Sequence, residues 1–413
     1  MRLNRREFAG FLGAAWLARR LSAQTARPNV AAIERERMIR LGTAALGEAV
    51  VGIAEMPGAG SPGGRQDYFS SASFTEHREA LRRMCVRVAA LAGAYGVTRE
   101  DRFAEAAAGA LRVWMCGEKT RMTPHLRFAR VEAGAKDTGT AEGVIEGVYL
   151  AEIAVAIPFL AASQALTDED LAGIKRWFTE YLAWLTVEED SGPRIAALAR
   201  DMRNHHGSSW MLQAVAAARC VKDDTAMGML RHRFERVLIR AQMVALGNFP
   251  AEVVTANPYR NSLWNLDMLA GACELLSGSF ENVWEYELQD GPGMRAAIAY
   301  HFQYIAHREK WPYSADAAHF LELPLRRPAL LFAARAYTRP EYADLWKTLP
   351  ADPPEALAES FPIRQPYLWV TKPPFRVAEA IGLAAVLQDE GAGGVCGTVL
   401  SGGNVTRMCL RGF

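Results

Sequence analysis

The sequence has 413 residues, half of them hydrophobic and 23% charged, which is enough to bury a sizeable core and too apolar for a disordered chain. Its 47 basic residues against 46 acidic ones leave a formal charge of +1, without the basic excess that a nucleic-acid-binding surface needs. No apolar run beyond the N-terminus reaches the ~20 residues of a membrane span. Forty of the basic residues are Arg, a side chain that suits two-pronged recognition of carboxylates.

The first 24 residues pair Arg5-Arg6 with a modest apolar stretch from Ala9 to Ala18, then small and polar residues at Ala23 and Gln24. This pattern resembles a twin-arginine export signal and implies a periplasmic or secreted mature protein. The six cysteines are scattered, with no Cys-x-x-Cys and no metal-ligand spacing, so buried free thiols are expected. Neither a metal nor another cofactor is implied.

From Ala31 onward the apolar spacing is helical. Leu81, Met84, Cys85, Val88 and Leu91 recur at three- and four-residue steps, as do Leu171, Ile174, Trp177, Phe178, Tyr181 and Leu185. Leu91-Ala92 is followed by Thr98-Arg99-Glu100-Asp101, and Leu160-Ala161 by Thr167-Asp168-Glu169-Asp170. In both, a Thr followed by acids is expected to cap a new helix. The echo predicts an all-α chain of repeated antiparallel hairpins, stacked as a solenoid or curled as a toroid. One domain is expected over 28–390, and the glycine-rich 391–413 is expected to be a poorly ordered tail outside it.

Three polar loops interrupt the rhythm, at Gly58–Ser73, Asn248–Asn261 and Arg308–Leu325. Loops on a helical scaffold commonly carry function. The densest candidate lies elsewhere, in Arg203-Asn204-His205-His206-Gly207-Ser208-Ser209-Trp210, ahead of an apolar helix. Two of the chain's eight histidines are adjacent there.

That segment, with Gln213, is similar to the Asn-Asn-His-Gly-Thr-Trp motif of the alginate lyase-like polysaccharide lyases. Further segments resemble the family in order: Gln66-Asp67-Tyr68-Phe69-Ser70, Thr120-Arg121-Met122-Thr123-Pro124-His125-Leu126, Gly247-Asn248-Phe249-Pro250-Ala251-Glu252 and Ser262-Leu263-Trp264-Asn265-Leu266. Together they span roughly residues 60 to 320. The resemblance implies an incomplete (α/α) toroid and a lyase that cleaves a uronic-acid-containing, alginate-like polysaccharide by β-elimination, with an acidic polysaccharide or oligosaccharide as substrate.

Such an enzyme must remove the C5 proton beside a sugar carboxylate. It therefore needs donors that neutralise that carboxylate, together with a base and an acid. In the resembled family an Asn and the following His act with an Arg and a Tyr. Here the His falls on His206, the Asn on His205, the Arg on Thr255 and the Tyr on Asn261. The expected assignment is His206 as base or orienter of the base, Tyr259 as acid or base, and Asn204, His205 and Arg260 as carboxylate donors. Glu252 is expected to hold its loop, and Tyr68, His125 and Arg203 to line the groove. Trp210, Trp264 and Trp311 are candidates for stacking on sugars, although Trp at helical spacing also suits a core. Two alternatives stay open. One is a toroid that binds glycans without cutting them. The other is a glycoside hydrolase, for which Glu252, Asp267 and Asp316 are available carboxylates.

Overall fold

A computed structural model describes residues 28–53, 75–127, 129–130, 139–187, 194–374, 396–401 and 404–409. The proposed export signal and Tyr68 lie outside the described residues. In chain order, α1 spans Val30–Leu46, α2 Thr75–Thr98 and α3 Asp101–Leu111, which runs on as a π turn, Arg112–Cys116. A 3-10 turn, Ala141–Gly147, precedes α4 (Leu150–Leu160), followed by α5 (Asp168–Thr186), α6 (Ile195–Asp201) and α7 (His205–Val221). Then come α8 (Asp224–Arg233), α9 (Ile239–Gln242), α10 (Pro258–Leu276) and α11 (Met294–Ala306). Last are α12 (Pro328–Tyr337), α13 (Pro340–Thr348) and α14 (Pro366–Val370).

The packing sorts these helices into two layers. An inner row runs α2, α4, α7, α10, α12, each member packed on the next. Against it lie α1 and α3 on α2, α5 and α8 on α7, α11 on α10, and α13 on α12. The short α14 touches α1, α2, α4 and α12, drawing the end of the row back toward its start. The fold is all-α, an incomplete toroid of helical hairpins.

Sequence explains which helix goes where. Inner α7 is buried without a break from Gly207 to Ala218, because small residues open that run and apolar ones, with a single Gln213, cover every face of the rest. Outer α5 buries Gly173, Ile174, Trp177, Phe178, Tyr181, Leu182 and Leu185, a single stripe at helical spacing. Its start is a complete capping box: the Thr167 hydroxyl accepts from Asp170 N at 3.1 Å, and the Asp170 carboxylate accepts from Thr167 N at 3.0 Å. The matching expectation at Thr98 is not met. Thr98 is the last residue of α2, its hydroxyl donates to Ala94 O, and Arg99 turns the chain with φ 62°. Glu100 then precedes α3 without a side-chain cap.

Ala141–Leu160, though interrupted by Glu142, Glu146 and Glu152, is long and apolar enough on average to cross a membrane, but most of it is buried inside the protein, where it forms the start and body of inner helix α4. Buried Glu152 on this helix accepts from the backbone N–H groups of Arg364 and Gln365 at 2.9 and 2.7 Å and from the Trp369 indole at 3.2 Å, which fixes α14 in place. The tail contains an antiparallel hairpin, β1 (Cys396–Ser401) with β2 (Asn404–Cys409), in a register that sets Ser401 opposite Asn404.

Candidate active site

A cleft of about 220 Å³ opens at one end of the inner row. Arg78, Glu79 and Arg82 line it from the first turns of α2, and Tyr149 from just before α4. His205 and His206 come from the first turn of α7, and Arg260, Asn261 and Trp264 from the start of α10. Four inner helices thus bring their N-terminal ends to one opening. Each such end carries partial positive charge from its helix dipole, although Glu252, Asn204 and Asp316 already accept the first N–H groups of α7 and α10. The mouth therefore favours an anion chiefly through the dipoles and its arginines. Arg130, Glu146 and Glu359 complete the charged lining.

Most of those charges are already matched. Glu146 pairs with Arg130 at 2.8 Å and with Arg78 at 3.7 Å, Arg82 with Glu79 at 2.6 Å, and Arg78 with Glu359 at 3.5 Å. The guanidinium of Arg260 has no ion-pair partner among the described residues. Its backbone N–H, with that of Tyr259, donates to Asp316, which caps α10. Four arginines against three glutamates leave the lining one positive charge in excess.

The histidine pair is held by buried polar groups. The Asn204 side chain accepts from His206 N at 3.1 Å and caps α7. Gln242 donates to the carbonyls of Met202 and Asn204 and accepts from Asn265, which also meets Ser208. Gly207 is required here, since a Cβ would fall 2.0 Å from Met202 O. The fully buried Glu252 accepts from the backbone N–H of His205 with one oxygen, while its other oxygen lies 2.9 Å from His205 Nδ1. The rings of His205 and His206 are 4.4 Å apart, and the edge of Trp264 faces His205 at 6.3 Å. Burial, then the neighbouring His205 and Arg130, lower the pKa of His206 to about 3, so its ring is neutral.

Three expected site residues are core instead. Tyr259 is fully buried between Trp311 and Phe320, and its hydroxyl donates to Tyr304 O at 2.9 Å, away from the cleft. Trp210 is buried and donates to Leu185 O, and Trp311 is buried and donates to Ser314 O, so neither can stack on a sugar. His125 sits against Trp184 at 6.3 Å and Arg203 is exposed ahead of α7; neither lines the cleft. Asn204 acts as a helix cap, with its side-chain oxygen engaged. Of the tryptophans among the described residues only Trp264 borders the opening, and its indole N–H is anchored on Ser209.

The carboxylates available for hydrolysis are also engaged. Asp267 forms a buried ion pair with Arg327 at 2.5 Å, Asp316 caps α10, and Glu252 holds His205. None of the three borders the cleft. Thr255 and Asn261, the positions that match the resembled family's Arg and Tyr, bond to each other at 3.1 Å, and the Thr255 hydroxyl donates to Glu252 O at 2.7 Å. They brace the turn that carries Glu252.

Sequence reasoning missed Arg78, Arg82, Arg130, Glu146 and Tyr149. They meet only because α2 packs on α4, and no spacing announces that contact.

The model of the alginate lyase family matches residues 32–311. Among solved structures, the crystal structure of an alginate lyase from Bacteroides ovatus is similar, with a TM-score of 0.69 and 20% identity, covering 85% of this chain and 96% of that one. At that identity the likeness is one of fold. No curated protein matches. With more than half its length matched, the chain belongs to the alginate lyase family.

Proposed function

We propose that this protein is an exported polysaccharide lyase that cleaves a 4-linked uronic-acid polysaccharide by β-elimination. The observation that carries the reading is the cleft at the N-terminal ends of the inner helices, where an unpaired Arg260, a neutral His206 and His205 lie side by side. A uronate carboxylate entering there meets helix dipoles and the guanidinium of Arg260. The N–H that a neutral imidazole retains makes His206 a further donor. Together they lower the cost of the charge that builds up as the C5 proton leaves. An imidazole accepts that proton, the C4–O bond breaks with its electron pair on oxygen, and a C4=C5 double bond forms. Trp264 offers an apolar edge for a sugar ring. Export rests on the Arg5-Arg6 segment alone and is tested by cell fractionation.

The direct test incubates purified protein with a panel of 4-linked uronate polymers and follows the ultraviolet absorbance of the conjugated product. A rise with at least one polymer is expected. Binding of the polymers without any rise supports a glycan-binding protein instead, a reading favoured by Thr255 and Asn261 standing where the resembled family has Arg and Tyr.

A further inference from the structure

We infer that His205, held by Glu252, is the group that takes the C5 proton, so that a Glu–His dyad stands in for the acid–base residue lost at Asn261. This inference rests on the lyase reading above. Position 205 carries a His where the resembled family has an Asn, a residue that can neutralise a carboxylate but cannot serve as base. Only one of the two rings has a carboxylate behind it. Glu252 is wholly buried, and its two oxygens divide the work: one takes the backbone N–H that opens α7, the other reaches Nδ1 at 2.9 Å. A carboxylate accepts and does not donate, so Nδ1 carries the hydrogen and Nε2 keeps its lone pair. His205 borders the cleft, so that lone pair belongs to a ring exposed to substrate.

His206 is placed differently. Its Nδ1 is buried without a hydrogen-bond partner, and among the described residues the backbone of Glu142, not a carboxylate, is what favours its charged form. The role expected of His206 therefore passes to its neighbour, and His206 remains a neutral donor. The remaining substitutions fit the same account. Thr255 and Asn261 buttress the Glu252 turn through two hydrogen bonds, so the positions that lost their catalytic side chains now hold the carboxylate in register.

The step balances. Nε2 of His205 takes the C5 proton, the C5–H electrons become the C4=C5 bond, and the C4–O electrons leave on oxygen. The imidazolium, stabilised by Glu252, then returns its proton to that oxygen. His205 acts on the substrate, and Glu252 is a positioning residue.

Two variants and one spectrum test this. Glu252→Gln keeps an acceptor for the α7 amide but presents an N–H to Nδ1, forcing the hydrogen onto Nε2. His205→Asn restores the residue of the resembled family. On a polymer that the wild-type protein cleaves, each variant is expected to lose at least a hundredfold in kcat with KM within about threefold. Nitrogen-15 NMR of the free protein should show His205 protonated on Nδ1 in wild type and on Nε2 in Glu252→Gln. Turnover by His205→Asn within fivefold of wild type would overturn the dyad, because position 205 would then be a carboxylate donor only. A wild-type ring protonated on Nε2 would overturn it as well. The spectrum needs no substrate, so it separates failure of the dyad from failure of the lyase reading, which shows as wild-type inactivity on every polymer.

Discussion

At the scale of the residue, the site is decided by which face of a helix each side chain occupies. Tyr259 and Arg260 are neighbours in sequence, and the Pro258-Tyr259-Arg260 stretch reads as loop. Pro258 is instead the first residue of α10, so the next two side chains point about 100° apart around its axis. Arg260 faces the cleft and Tyr259 the core. Tyr259→Phe is therefore expected to leave turnover within twofold while costing about 1 kcal/mol of stability, through the lost hydrogen bond to Tyr304 O. Urea unfolding and initial rates on one preparation check both halves. A hundredfold fall in rate would return Tyr259 to the chemistry.

At the scale of the element, the start of α7 has to be held to a fraction of an ångström, and Gly207 is where that tolerance is least. A methyl there would meet Met202 O at 2.0 Å, so the turn or the helix must shift. Gly207→Ala should lower stability by about 2 kcal/mol and reduce turnover as well, because His205 and His206 ride on the displaced turn. An unchanged melting temperature would contradict this. Periodicity made α5 and its Thr167 cap legible in advance, since both depend on neighbours along the chain. The echo at Thr98 failed because the apparent cap residue ends one helix instead of starting another. The histidine pair could be read from adjacency alone. The Arg78–Glu146–Arg130 cluster could not, because α2 and the turn before α4 meet only through packing between distant segments.

At the scale of the whole molecule, acid should loosen the toroid through histidines that it keeps uncharged. Burial holds His301 at a pKa of about 4 and His206 at about 3; His125 is held at about 4 by burial and by Arg127. The unfolded chain takes up these protons near pH 6.5, so their stabilisation is complete above that pH and is lost as pH falls through the folded values. Asp267, raised to about 6 by burial against the pull of Arg327, works in the opposite sense and gains as pH falls. His301→Gln isolates one contribution: between pH 6.5 and 4 it should lose about 3 kcal/mol less stability than wild type, measured by urea unfolding at each pH. Equal losses would contradict the burial argument. The central claim concerns the bond that is broken when an acidic polysaccharide lies across the ends of four inner helices. Mass spectrometry of the released oligosaccharides tests it most directly. The account predicts fragments whose new non-reducing ends are one water lighter than a saturated uronate end. Fragments with saturated new ends that share the elements of one water between them would contradict elimination at this cleft.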